Sequence, residues 1–414
     1  MLSKLKGLFV LATGNISIQI ISFFLVPIIA RIYGPSQFGS YQLISTIVLI
    51  SSPLVGLSLF QILIKEKRPE IHLKLFSTSI TFSFINPLIV IIISLLYLHY
   101  VTDEIKFGFV EIIILYLILS TNSLQTNYQS RQLSNSDYKN YTLSNIIQSI
   151  GSNGSKILLG LFSGSYQVLL ASNILGYVFS ILHITKTRNY RLKLNSLKES
   201  YRIATENKQF TLYFTLSSLL GIFNSWYLIL VAPLFVGVMH IGLFSLAQTL
   251  IQVPLYPILK SVSNFTYNEY SKDRVNNSRY NNSFWAIQVI GFLVLIVGFF
   301  ILDNFGSEIL IFLFGDKWDG ADEYAKLLII PMSFNFLLGP FYNTIANSYN
   351  LNHKLTYVDI LIMASSIVGV SIFKYLGLPF YSLVKFYVIL NSFSYILKFY
   401  LIYLTYSKRG NHRT

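Results

Sequence analysis

Apolar blocks of membrane-crossing length alternate along this chain with short polar connectors. They run at about residues 8–30, 38–63, 76–100, 109–128, 142–163, 166–185, 211–235, 240–264, 284–302, 325–348, 355–375 and 379–404. A helix rises about 1.5 Å per residue, so a block of roughly 20 residues crosses about 30 Å of hydrocarbon. The pattern therefore predicts an all-α integral membrane protein of about twelve transmembrane helices. The opening block, behind Lys4 and Lys6, is longer than the core of a cleavable signal and reads as a retained first span.

The connectors sort by charge. Alternate ones carry Lys65, Lys67, Arg68 and Lys74, then Arg131 and Lys139, then Lys272, Arg274 and Arg279, and finally Lys408, Arg409 and Arg413. Those between them are acidic and poor in cations, as in "TDEIKFGF" and "GDKWDGADE". Cations gather on the cytoplasmic side of membrane proteins, so both termini are expected there. The longest basic connector splits the chain into an N-terminal six-helix bundle (1–185), a linker (186–209), a C-terminal six-helix bundle (210–405) and a tail (406–414). Leu192, Leu194, Leu197, Tyr201 and Ile203 fit a short helix on the inner leaflet, with a solvated loop as the alternative.

Two turns echo one another. "GPSQFGSY" has Gly34 and Gly39 five apart with Tyr41 two further on, and "GVMHIGLF" has Gly237, Gly242 and Phe244 at the same spacing. Each would be the first outward turn of a six-helix half, as parallel repeats about an axis along the membrane normal require.

Polar residues inside spans are functional candidates, because each costs free energy in lipid. The block "YTLSNIIQSIGSNGSKILLGLF" sets Ser144, Asn145, Gln148, Ser149, Ser152, Asn153, Ser155 and Lys156 on one half of a helix. Such a side must line a wet cavity or pack against other helices, and the number of polar groups favours the cavity. The eighth block repeats the idea with Gln248, Gln252, Tyr256, Lys260 and Asn264, and the first with Asn15, Gln19 and Ser22. Arg31, Lys374, Lys385 and Lys398 add further cations in or beside spans, and snorkelling competes with a binding role for Arg31, Lys374 and Lys398. Asp359 is the clearest acid within a span. It is either an ion-coupling group or a counter-ion for Lys354. A mainly cationic cavity selects an anionic cargo such as a phosphate or pyrophosphate.

Composition narrows the choice further. Of 414 residues, 53% are hydrophobic and 12% charged, about half the charged share of a soluble domain. No cysteine is present, which excludes disulfides and thiolate chemistry, and the six histidines form no metal-binding pattern. The net charge of +14 is spread over connectors, so it speaks for membrane orientation and not for nucleic acid. There is no G-x4-GK[ST] phosphate loop, no G-x-S-x-G elbow and no catalytic constellation.

With "VPIIARIYGPSQFGSY" and "LFGDKWDGADEYAKLLI" in their places, the chain resembles the Wzx-type O-antigen and capsule repeat-unit flippases of the multidrug/oligosaccharidyl-lipid/polysaccharide (MOP) exporter superfamily. The resemblance implies two six-helix bundles around a cavity in the bacterial inner membrane. It implies alternating access that moves an undecaprenyl-pyrophosphate-linked oligosaccharide, and a proton or sodium gradient in place of a cofactor. By the same analogy Arg31, Lys156, Lys260 and Lys385 meet the pyrophosphate or acidic sugars, while Asn145, Gln148, Ser152, Gln248 and Gln252 meet sugar hydroxyls. Membrane lipids, a polysaccharide polymerase and a chain-length regulator are the partners it implies. A drug or cation antiporter would need an acidic cavity. A membrane polysaccharide polymerase would need a sizeable outward loop, and the longest one here, around Asp303 to Glu323, is short and acidic.

Overall fold

The computed structural model describes the backbone at residues 2–66, 68–102, 104–105, 108–188, 194–272, 277–348 and 351–410. Side chains are described over the same residues apart from 2–13, 15–16, 65, 188, 210, 256–258, 260–272, 277–291, 293–294, 347–348, 352 and 406–410. The described residues form helices and connecting turns, with no strand among them. Lipid offers no hydrogen bonds, so a chain this apolar closes its backbone bonds within helices.

Helix α1 (Leu2–Val55) has 54 residues, far more than one crossing needs, and Gly34 divides it at φ 70° and ψ 171°. Only glycine takes that conformation without a Cβ penalty, and Pro35 then suits the first turn of the helix that resumes. Ten segments among the described residues are long and apolar enough to cross a membrane, the first being Ser17–Val55. Splitting that one at Gly34 and adding the polar-faced 23-residue α5 (Tyr138–Gly160) gives twelve helices of membrane-crossing length among the described residues.

Two predicted boundaries are corrected. The block at 38–63 is not one helix: α1 ends at Val55, a turn follows, and α2 (Leu59–Lys65) begins after it. Leu57 and Ser58 sit at φ 48° and 49°, a left-handed pair that no helix continues through. The outward connector expected over 303–323 is helical for half its length, because α10 (Asn277–Phe314) runs on past Asp303. Gly315 at φ 92° ends it, a 3-10 turn buries Trp318, and α11 (Ala321–Ser348) starts within six residues.

The chain divides into two compact units, Met1–Gly242 and Leu243–Thr414. The first holds α1 and α2, α3 (Pro69–Val101), α4 (Phe109–Ser134), α5, α6 (Tyr166–Arg188), α7 (Leu197–Glu206), α8 (Lys208–Val231) and the start of α9 (Val238–Lys272). It reaches past the linker because α8 packs on α1, and the Tyr97 hydroxyl of α3 donates to the Leu230 carbonyl of α8. The linker does form a helix, α7, capped by Ser196 Oγ accepting from the Glu199 amide at 3.3 Å. Ile203 turns inward among Phe76, Phe82 and Tyr128, and Leu194, Leu197 and Tyr201 stay exposed. Leu192 lies outside the described residues. Asn195 fastens the approach to α7, its amide donating to Thr78 Oγ1 at 3.0 Å. The second unit continues α9 and adds α10, α11, α12 (Asn352–Tyr375) and α13 (Phe380–Gly410), with a core of Phe341, Tyr342, Ile345, Ala346 and Ile402 between α11 and α13.

The echoed turns have a geometric counterpart inside the first unit. A Cβ on Gly39 would run into the Val238 carbonyl, and one on Gly242 would run into the Pro35 carbonyl. Each glycine thus lies on the carbonyl four residues before the other, a reciprocal backbone crossing that no larger residue permits.

Candidate substrate contacts

Lys156 is the best-defined candidate. It is 9% exposed, one turn before the end of α5. Its ammonium donates to Tyr41 Oη at 3.1 Å and lies 5.0 Å from the centre of the Tyr41 ring. Asn173 of α6 donates to the same hydroxyl at 3.1 Å, and Ser152 Oγ donates to Asn173 Oδ1 at 2.7 Å. Tyr33, just before the Gly34 break, donates its hydroxyl to the Lys156 carbonyl at 2.7 Å. The break thus delivers two tyrosines of one helix to the same lysine, one to its backbone and one to its charge.

Magnitudes decide how this cation is held. A lysine at the centre of a membrane helix costs about 2.5–3.5 kcal/mol on insertion scales. The hydrogen bond to Tyr41 returns about 1.5–3 kcal/mol, and the ammonium lies beyond the hydroxyl edge of the ring, so no separate cation–π contribution is added. The seat is therefore adequate without a counter-ion, and among the described residues no carboxylate lies within 4.0 Å of Lys156. An ammonium carries three donors, and Tyr41 is the one acceptor found for it among the described residues. The uncompensated charge and the spare donors are what a phosphate oxygen needs.

The polar face of α5 is mostly packed. Ser149 meets Ser22 of α1 at 3.3 Å, Asn153 donates to Ser22 at 3.3 Å, and Asn145 Oδ1 accepts from Gln129 of α4 at 2.8 Å. Gly176 of α6 comes up against the Gln148 carbonyl. The cavity expected for this whole face is thus largely replaced by helix packing, because small hydroxyls and glycines let α1, α4 and α6 come close enough to satisfy it.

The other predicted residues scatter. Arg31 is exposed on α1. Lys385 is exposed on α13, 4.8 Å from the Tyr381 ring centre. Gln248 is buried and Gln252 half-buried on α9, while the side chain of Lys260 lies outside the described residues. Asp359 pairs with Lys398 at 2.7 Å and not with Lys354, whose ammonium donates to Thr405 Oγ1 at 2.7 Å. Sequence reasoning passed over Tyr33, Tyr41 and Asn173. Tyr41 stood in the quoted turn motif as a spacing marker, and Asn173 is a single amide in the apolar run "VLLASNILGYVF".

The fold is that of a multi-pass membrane transporter. An inward-facing multidrug-resistance MATE transporter of the MOP superfamily superposes with a TM-score of 0.64 at 14% identity, covering 97% of this chain and 99% of that one. The lipid II flippase MurJ, in an inward closed conformation, matches with a TM-score of 0.68 at 16% identity over 96% and 87%. A MOP superfamily transporter from Pyrococcus furiosus, described by the reverse polarity of its binding pocket, matches at 0.59 and 16% over 97% and 96%. A sequence search of curated proteins found no match. Residues 28–323, more than two thirds of the sequence, fit the model of one family. The chain belongs to that family, described as polysaccharide biosynthesis protein.

Proposed function

We propose that the chain is a Wzx-type flippase of the bacterial inner membrane, moving an undecaprenyl-pyrophosphate-linked oligosaccharide, an O-antigen or capsule repeat unit, by alternating access. The observation that carries this reading is Lys156: a buried cation seated on Tyr41 with no carboxylate beside it among the described residues. In this reading the pyrophosphate takes the spare donors of Lys156, the sugars follow on neutral polar groups, and the lipid tail stays in the bilayer. The product is passed to a polysaccharide polymerase and its chain-length regulator. An ion gradient drives the cycle, and Asp359, already balanced by Lys398, serves to hold α12 to α13. A cationic drug as cargo is disfavoured, because it would meet Lys156 with like charge.

The test is surface polysaccharide in cells carrying Lys156→Glu or Lys156→Gln, at matched protein level. Loss in the first and partial loss in the second supports the reading. Normal polysaccharide in both overturns it.

A further inference from the structure

A second polar site lies in the first unit, away from Lys156. Gly56 is 22 residues beyond Gly34, about 33 Å along a helix, so it sits at the opposite membrane boundary from the Gly34 turn. Tyr41 is only seven residues past that turn. Next to Gly56 a cavity of about 130 Å³ is lined by Ser52, Phe60, Ser123, Asn127 and Ser218, drawn from the end of α1, α2, α4 and α8.

The lining is built and not incidental. Ser79 Oγ donates to Asn127 Oδ1 at 2.5 Å, Asn127 Nδ2 donates to Ser83 Oγ at 3.0 Å, and Ser83 meets Ser123 at 2.7 Å. Ser79 and Ser83 are fully buried on α3, so they act from behind as positioning residues that fix the amide and hydroxyl of the wall. The amide of Asn127 has one further N–H and one further lone pair to offer.

The chemistry of the lining selects the ligand. No charged side chain lines this cavity. With no carboxylate in the wall a cation would enter uncompensated, and each carbonyl at the helix break already holds one hydrogen bond. Pro53 accepts from the Ser58 amide at 3.1 Å, Gly56 from the Leu59 amide at 3.0 Å, and Val55 from Asn86 at 3.0 Å. An ion entering here would be left unbalanced. What remains is a mostly apolar wall, with Phe60, Pro53 and Ile222, that carries a few neutral hydroxyls and one amide, in a space worth about four waters at roughly 30 Å³ each. A pyranose is larger than this space, so one edge of an uncharged polyhydroxylated ring would enter it, its hydroxyls toward Asn127 and Ser123 and a C–H face toward Phe60.

We infer that this cavity is a subsite for one edge of an uncharged sugar ring at the membrane boundary opposite the Gly34 turn. The inference rests on the flippase reading, and it adds a neutral-sugar checkpoint separate from the phosphate contact at Lys156. A cargo is then read twice, by its sugar at one boundary and by its anion near the other.

Gly56 supplies a mild test. A Cβ there would stand 3.5 Å from Ser123 Oγ and 4.0 Å from Ser79 Oγ, ordinary contact distances, so Gly56→Ala folds while intruding on the site. The full-length protein in lipid nanodiscs is probed by saturation-transfer NMR with glucose, galactose, N-acetylglucosamine and glucuronate. At least one neutral sugar should give a signal, glucuronate should give none, and Gly56→Ala and Ser218→Ala should each cut the neutral signal at least threefold. Lys156→Gln should leave it unchanged. The inference is overturned if no neutral sugar gives a signal, as with a cavity that holds water alone. It is overturned equally if both substitutions leave the signal intact or if glucuronate binds as well. Surface polysaccharide separates the two claims. Loss with Lys156→Glu beside unchanged transport and sugar binding in Gly56→Ala removes this subsite and keeps the flippase.

Discussion

Two lysines inside membrane helices, Lys156 buried and Lys398 half-buried, solve the same problem in different ways. Lys398 in the second unit pairs with Asp359 at 2.7 Å, both side chains being under one-fifth exposed. Both have a tyrosine ring nearby, Tyr395 at 6.0 Å for Lys398 and Tyr41 at 5.0 Å for Lys156, but Lys156 in the first unit has a hydroxyl where Lys398 has a carboxylate. A paired lysine is neutral to a distant anion and ties two helices together. A lysine on a tyrosine keeps its full charge for whatever arrives. The contrast separates a charge used for building from one kept for binding, and the two looked alike as intramembrane cations in the sequence.

That contrast can be broken at several points. Lys156→Glu should have the largest effect. An attraction of about 4 kcal/mol at close range becomes a repulsion of similar size, so transport in reconstituted vesicles should fall by a hundredfold or more. Asp359→Leu should act on stability instead. It leaves the half-buried Lys398 without its carboxylate and should cost about 1–3 kcal/mol. Adding Lys398→Leu should recover most of the melting temperature in detergent, and a single variant as stable as the parent would show that the pair holds nothing. Tyr41→Phe keeps the ring and removes the hydroxyl that accepts from Lys156 and Asn173, so it should cost about 1.5 kcal/mol of stability, lower the melting temperature by a few degrees and reduce transport less than Lys156→Glu does. Lys385→Ala should matter least. It is exposed on its own helix, and both transport and stability should stay within about 0.5 kcal/mol of the parent.

Much of the architecture was legible because lipid enforces a simple rule. The blocks of hydrophobic residues become helices, and Gly34 breaks the first where a glycine and a proline stood together. The break at Leu57 and Ser58 was not legible, since neither residue favours a left-handed conformation and only its surroundings impose it. The polar half of α5 was readable, but its use was not. Periodicity shows which side of a helix is polar and is silent about whether Ser22, Gln129 or water meets it. Lys156 stood out in sequence, and its seat did not, because Tyr41 and Asn173 are 115 and 17 residues away along the chain. The linker helix was half legible. Its amphipathic pattern was plain, yet Ile203 docks into the protein core where the pattern alone allowed a lipid surface.

The packing of α8 on α1 also sets a clock for biosynthesis. The second part of α1 is complete at Val55, and the helix that covers it is complete only at Val231. At about 5–20 residues per second the intervening chain takes roughly 10–35 s to make. During that interval the α1 surface later covered by α8 rests against lipid or the insertion machinery. A ribosome that stalls before residue 231 leaves the first unit unfinished, however well its earlier helices have inserted.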